Sequence, residues 1–253
     1  MDLSLTHFIG IDLSGPRGRI TCAVLDGSRH ILFRGATTPL EWESLVAGSA
    51  VTIAAITSPI TLNEGLMADE DKRKLLNPSP SRNRYANLRV CEYELITRGF
   101  STMRTPSALE NSSLALQRLL RFSSELAASG FQRWPSPGNE RQLMEIHADS
   151  AYAVLLGAKP LPAASLEGRI QRQLALQEER LNVPDAMEFF EEITRHKLLS
   201  GKLPEGKIFS SAELNALVAA FTAWCAYTNP AEVTRLGDAA EGRIILPVST
   251  RRL

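Results

Sequence analysis

The sequence carries no excess of either charge: 28 lysines and arginines stand against 28 aspartates and glutamates, for a formal net charge of zero. An evenly charged protein lacks the broad positive field that holds nucleic acid nonspecifically, so any such binding must come from a local patch. Cysteine is scarce. Cys22, Cys91 and Cys225 lie far apart, form no Cys-x-x-Cys pair and leave an odd one over. That excludes a disulfide framework and a zinc knuckle and points to a reducing compartment. No apolar run approaches the roughly 18 residues needed to span a bilayer. The opening MDLSLTHFIGIDLSG has no basic stretch leading into an apolar one, so a soluble, cytoplasmic protein is expected, with no membrane partner. What is present is ordinary for a folded chain: 44% hydrophobic and 22% charged residues over 253 positions, enough for one domain with insertions.

The segment HFIGIDL (7–13) reads as a strand, with Ile9, Ile11 and Leu13 on one face and Phe8, Gly10 and Asp12 on the other. Apolar residues on both faces suit the middle of a covered sheet. RITCAVLD (19–26) and HILFRGATT (30–38) flank Asp26-Gly27-Ser28 and predict an antiparallel hairpin. Thr38-Pro39 with Glu41 starts a helix to about Ala47, and VTIAAIT (51–57) is a fourth, almost wholly apolar strand stopped by Pro59. Residues 61–90 cluster Asn, Pro, Ser and charges and read as a surface insertion with little regular structure.

Leu116, Leu119, Leu120 and Ala127 recur at helical spacing before Gly130, and RQLMEIH (141–147) is a fifth strand. Helices are expected at 149–157, 165–181 and 185–199, and then over SSAELNALVAAFTAWCAYT, with RIILP (243–247) as a short closing strand. There is no internal repeat. Three meandering strands, a helix and a buried strand match the start of an RNase H-like sheet. The expectation is a single α/β domain over 1–253, with a central mixed five-stranded sheet flanked by helices, a loop insertion and extra helices.

An RNase H-like nuclease gathers carboxylates from its first, fourth and fifth strands and its last helix around divalent cations. Here those places hold Asp12, Thr57, Glu145 and Asn215. Asp12 is the strongest candidate, because a carboxylate on an apolar central strand is costly unless it is paired or metal-bound. Its bland alternative is a strand-end cap of the following turn through Ser14-Gly15. Glu145 has His147 beside it, and a Glu-x-His pair suits a metal ligand plus a proton carrier, or equally a charged strand end facing water. Asp12 and Glu145 are thus the candidate catalytic and metal-binding residues, for Mg²⁺ or Mn²⁺, with Thr57, Asn215 and His147 lining the site. Glu213 does not substitute for Asn215, since two residues turn a helix by about 200°. Arg82, Arg84 and Arg89, with Tyr85 among them, are candidate nucleic-acid contacts. The competing reading is a solvated loop balanced by Asp69, Glu70 and Asp71. Arg169, Arg172 and Arg180 are expected as solvent partners of nearby glutamates.

The stretches FIGIDLS, AAITSPI, RVCEYEL, MEIHADSAYAVLLG, SLEGRIQRQLAL and ELNALVAAFTA with GDAAEGRIILP resemble, in order, domain-of-unknown-function family 429. That family is one of predicted RNase H-fold nucleases, so the resemblance implies that fold and a metal-dependent hydrolase. Asp12, Glu145 and Arg89-x-Cys91-Glu92 fit its pattern. Ile56-Thr57-Ser58-Pro59-Ile60 stands where the family has Ile-Asp-Ala-Pro-Leu, and Asn215-Ala216-Leu217 where it has Asp-Ala-Leu. Two function classes follow: a metal-dependent nuclease impaired at two of four acidic positions, or an inactive nucleic-acid- or protein-binding module on the same fold. A nucleotide-binding protein of the actin-like type ranks third, because no second three-stranded opening follows residue 90. Nothing in the sequence sets an oligomeric state.

Overall fold

Both faces of the first strand are covered, as its apolar residues on two sides require. In a computed structural model, β1 (Thr6–Asp12) lies between β2 (Ile20–Leu25) and β4 (Val51–Ile56), antiparallel to the former and parallel to the latter. β3 (Ile31–Thr37) continues the hairpin beyond β2. On the other side follow β6 (Arg141–Glu145), β8 (Gly242–Leu246) and β7 (Thr234–Asp238), while β5 (Gln132–Arg133) pairs with β6. The chain is therefore an α/β protein with a mixed eight-stranded sheet in the order β3-β2-β1-β4-β6-β8-β7, flanked by helices. The structure describes residues 3, 5–13, 20–38, 41, 44, 46–192, 199–201 and 205–249.

The sheet is larger than the five strands expected. β8 is the anticipated closing strand. β7 and β5 carry almost no apolar signal, because Leu236 is the only fully buried residue of β7 and both residues of β5 are exposed. Of the helix expected at 39–47, Pro39, Leu40, Trp42, Glu43 and Leu45 lie outside the described residues, whereas Glu41, Ser44 and Val46 are helical.

Segment 61–90 departs from the surface loop expected. It holds a 3-10 turn (Leu66–Ala68) and the short helices α1 (Glu70–Lys74) and α2 (Arg82–Tyr85). Helix α3 (Val90–Thr97) follows, and Met67, Leu88, Val90 and Tyr93 form a core of their own. Arg73 is buried there and donates to the Met67 carbonyl at 2.7 Å. The loop-like composition hides this because its few apolar residues are spread too widely to show a period.

One face of the sheet is packed by α5 (Ala148–Leu156), α6 (Leu166–Glu178) and α8 (Ser211–Thr228), which bring Tyr152, Leu176 and Phe221 against Phe8, Ile53 and Met144. The opposite face carries Ile9, Ile11, Ile56 and Leu143 under Phe122 and Leu126 of α4 (Leu114–Ala128). Helix α7 (Glu188–Glu192) is the described part of the helix expected at 185–199, and residues 193–198 lie outside the description. Arg172 is not at the surface as expected: it is 1% exposed, donates to Asp149 at 2.8 Å and stacks over Tyr152.

Helix α8 fixes the geometry. Ser210 and Glu213 form a reciprocal capping box at its start. An added Cβ at Gly10 would lie 1.7 Å from the Ala216 carbonyl oxygen, so what approaches Gly10 is this helix's backbone. The span Glu205–Thr228 is long and apolar enough by length and composition to cross a membrane, but it is mostly buried as the core helix of the sheet.

Candidate functional site at the strand ends

Asp12 ends β1 on the side facing α8 and is 1% exposed. Two neutral side chains are among its partners. Thr57 Oγ1 donates to Asp12 Oδ2 at 3.2 Å and Asn215 Nδ2 donates to the same oxygen at 2.9 Å. Thr57 stands just past β4, where its backbone N–H donates to the Ile11 carbonyl at 3.0 Å and holds the two strand ends together. Asn215 arrives because α8 lies directly on Gly10. The amide turns its NH₂ to the carboxylate, as an acceptor-only group demands. Asn215 Oδ1 is left buried with no hydrogen-bond partner. Three of the four positions expected to converge do so.

Glu145 does not join them. In the parallel register Ile56 pairs with Glu145 and Ala55 with Met144. Paired residues share a face, so Glu145 lies with Ile56 and Leu143 under α4, while Asp12 and Thr57 continue the Gly10 and Ala55 side. The expectation that Asp12 and Glu145 share a metal is corrected: they stand on opposite faces of the sheet.

Glu145 is held by Arg89 instead. Arg89 Nη1 and Nη2 donate to its two carboxylate oxygens at 2.8 and 2.5 Å, and the Ile60 N–H adds a bond at 3.2 Å. Arg89 also donates through Nε to Glu92 at 3.0 Å, and Glu92 accepts from the Thr105 N–H and hydroxyl. Close by, Glu241 accepts from the backbone N–H groups of Val90 and Glu64. Arg89, Glu92, Glu145 and Glu241 are each no more than 2% exposed. Burial works against the Arg89 charge, yet its neighbours, Glu145 foremost and Glu92 with it, together outweigh that and hold the guanidinium above its ordinary value. Burial pushes the Glu92 carboxyl up, with Arg89 and Thr105 acting in the opposite direction.

Arg89 is therefore corrected from a nucleic-acid contact to a buried structural cation. Arg84 is exposed, with its guanidinium 5.3 Å from the centre of the Tyr85 ring. Arg82 belongs to α2, but its side chain lies outside the described residues. His147 caps α5: its Nδ1 accepts from the Ser150 N–H at 3.2 Å, and Nε2 meets the Ser101 carbonyl at 3.0 Å. Burial lowers its pKa. Its ring partners are Ser150, Ser101 and Phe100, and it serves the helix start. Glu92 and Glu241 are the members of the buried network that sequence reasoning missed. For Glu92 the signal was its position three residues after Arg89, the spacing of a helix-start pair.

The residues fit a two-cation phosphodiester centre poorly. Among the described residues no group of three or more His, Cys, Asp or Glu side chains is placed to hold a metal. One carboxylate at Asp12 offsets little of the charge of two divalent ions. Cys22, Cys91 and Cys225 are free and buried. The chain matches no protein-family model, no curated protein and no solved structure.

Proposed function

We propose that this chain has the RNase H-like fold and works in the cytoplasm as a nucleic-acid-binding module, its phosphodiester-cleaving centre reduced to one acid. The arrangement of β3-β2-β1-β4-β6, three antiparallel strands followed by two parallel ones, supports the fold. So does the meeting of Asp12, Thr57 and Asn215 at adjacent strand ends under the last helix. One observation carries the functional reading. Asp12 accepts hydrogen bonds from a hydroxyl and an amide where catalysis needs further carboxylates, and Glu145 is neutralised by Arg89 on the other face. Binding nucleic acid asks less than cutting it, and exposed Arg84 stacked on Tyr85 offers a cation and a ring for a strand.

A second reading is a nuclease using a single Mg²⁺ or Mn²⁺ at Asp12, with Thr57 and Asn215 as neutral oxygen ligands. The buried, unpartnered Asn215 Oδ1 favours it. Incubation of the protein with single- and double-stranded DNA and RNA in Mn²⁺ separates the two. The binding-module reading predicts retention without cleavage. Mn²⁺-dependent cleavage that Asp12→Ala abolishes would establish the second reading instead.

A further inference from the structure

A cleft of about 630 Å³ opens where segment 61–90, the 101–113 connection and the start of α4 meet. Its volume is that of a small-molecule site, which spans about 300–1,000 Å³. No acidic side chain lines it, and its one ionised residue is Arg104. Arg104 is exposed and makes no ion pair among the described residues. Polar groups surround it: the amides of Asn63 and Asn87 and the hydroxyls of Ser107 and Ser113. Ser113 Oγ accepts from the Leu116 N–H at 3.3 Å, which leaves its hydroxyl hydrogen to donate elsewhere. Met103, 48% exposed, gives the lip an apolar surface.

The walls are braced from behind. Thr105, next to Arg104, is 1% exposed and donates twice to buried Glu92, at 3.0 and 2.5 Å. The Pro106 carbonyl accepts from the Asn63 N–H at 3.0 Å, and Asn63 Oδ1 accepts from the Gly65 N–H at 2.7 Å. The walls of the cleft are thus tied through Thr105 and Glu92 to the Arg89–Glu145 network. A largely apolar cleft that carries one arginine, several amides and hydroxyls and no carboxylate matches an anion attached to a flat apolar group.

We propose that this cleft binds the phosphate of a nucleotide unit, with Arg104 on the phosphate and Met103 against the base. The inference rests on the nucleic-acid-binding role above and names where the phosphate sits. The same chemistry comes from a free nucleotide or from one unit of a single strand, so two probes are needed. Adenosine monophosphate and a short deoxythymidine oligonucleotide are titrated against the full chain by calorimetry at low salt, with adenosine as the phosphate-free comparison.

The expected result is saturable binding of at least one phosphate-bearing probe, weakened at least tenfold by Arg104→Gln and less by Arg104→Lys, with adenosine bound far more weakly. If neither probe binds at millimolar concentration, the cleft and the nucleic-acid role both fail. If the oligonucleotide binds but Arg104→Gln leaves its affinity unchanged, the cleft assignment alone fails. If adenosine monophosphate alone binds through Arg104, the cleft stands and the nucleic-acid role falls. Arg104 is exposed and packs into no core, so its variants test binding and not folding.

Discussion

At the residue scale the two candidate acids differ in their described partners. The Thr57 hydroxyl and the Asn215 amide donate to Asp12, and the buried Arg89 guanidinium donates to Glu145. A carboxylate left in the interior without its cation is expensive, so Arg89→Met should destabilise the protein by about 3–5 kcal/mol in urea unfolding. A loss below about 1 kcal/mol would mean that Glu145 finds another partner or neutralises without strain. The Asp12 centre responds to charge differently. Thr57→Asp with Asn215→Asp restores two carboxylates beside Asp12, and calorimetry should show tighter Mn²⁺ binding than in the natural chain. Unchanged affinity would place the cation elsewhere. His147 carries a pH dependence with a definite sign. Its neutral Nδ1 accepts from Ser150, and burial lowers its pKa. The stability it contributes is therefore present above the ordinary imidazole value of about 6.5 and is lost as pH falls from there toward the lower folded value. Urea midpoints at pH 7.5 and 5.5 should differ less in His147→Gln than in the natural chain, and an equal difference would remove His147 from the account.

Asp12 was legible because an acid on an apolar strand stands out in any sequence. The face of Glu145 was not. Alternation shows which neighbours within a strand share a face, but comparing two strands needs their register, and that is set by pairings between segments about ninety residues apart. The Arg89–Glu145 pair was hidden for the same reason. Arg89 lies in a stretch whose composition is that of an exposed loop, and its partner stands 56 positions along the chain.

At the scale of elements, the contact of β1 with α8 determines the site. Helix α8 announced itself through apolar residues at three- and four-residue steps, and Gly10 announced a close approach without naming what approaches. Gly10→Ala places a methyl against the Ala216 carbonyl and the Ala220 N–H, both backbone atoms that do not swing aside. The variant should lose about 1–3 kcal/mol of stability or more, and it should shift Asn215 away from Asp12. A stable Gly10→Ala with an unaltered fold would show that the helix sits farther from the strand. Edge elements were the least legible. β7 places a single buried leucine against Cys91 of α3, a contact that no periodicity in TRLGD foretells.

At the scale of the whole molecule, the two faces of one sheet carry different polar groups. The α8 face holds Asp12, Thr57 and Asn215. The α3 and α4 face holds the Arg89 network and, beyond it, the cleft with Arg104. With an even overall charge, the chain lacks the general positive field that would draw in a polyanion. The central claim is that the Asp12 centre lacks the charge to hold a pair of divalent ions. A titration of Mn²⁺ followed by electron paramagnetic resonance counts bound ions directly. The account predicts no stoichiometric binding below about a millimolar. Two ions bound tightly per chain, and lost in Asp12→Ala, would contradict it.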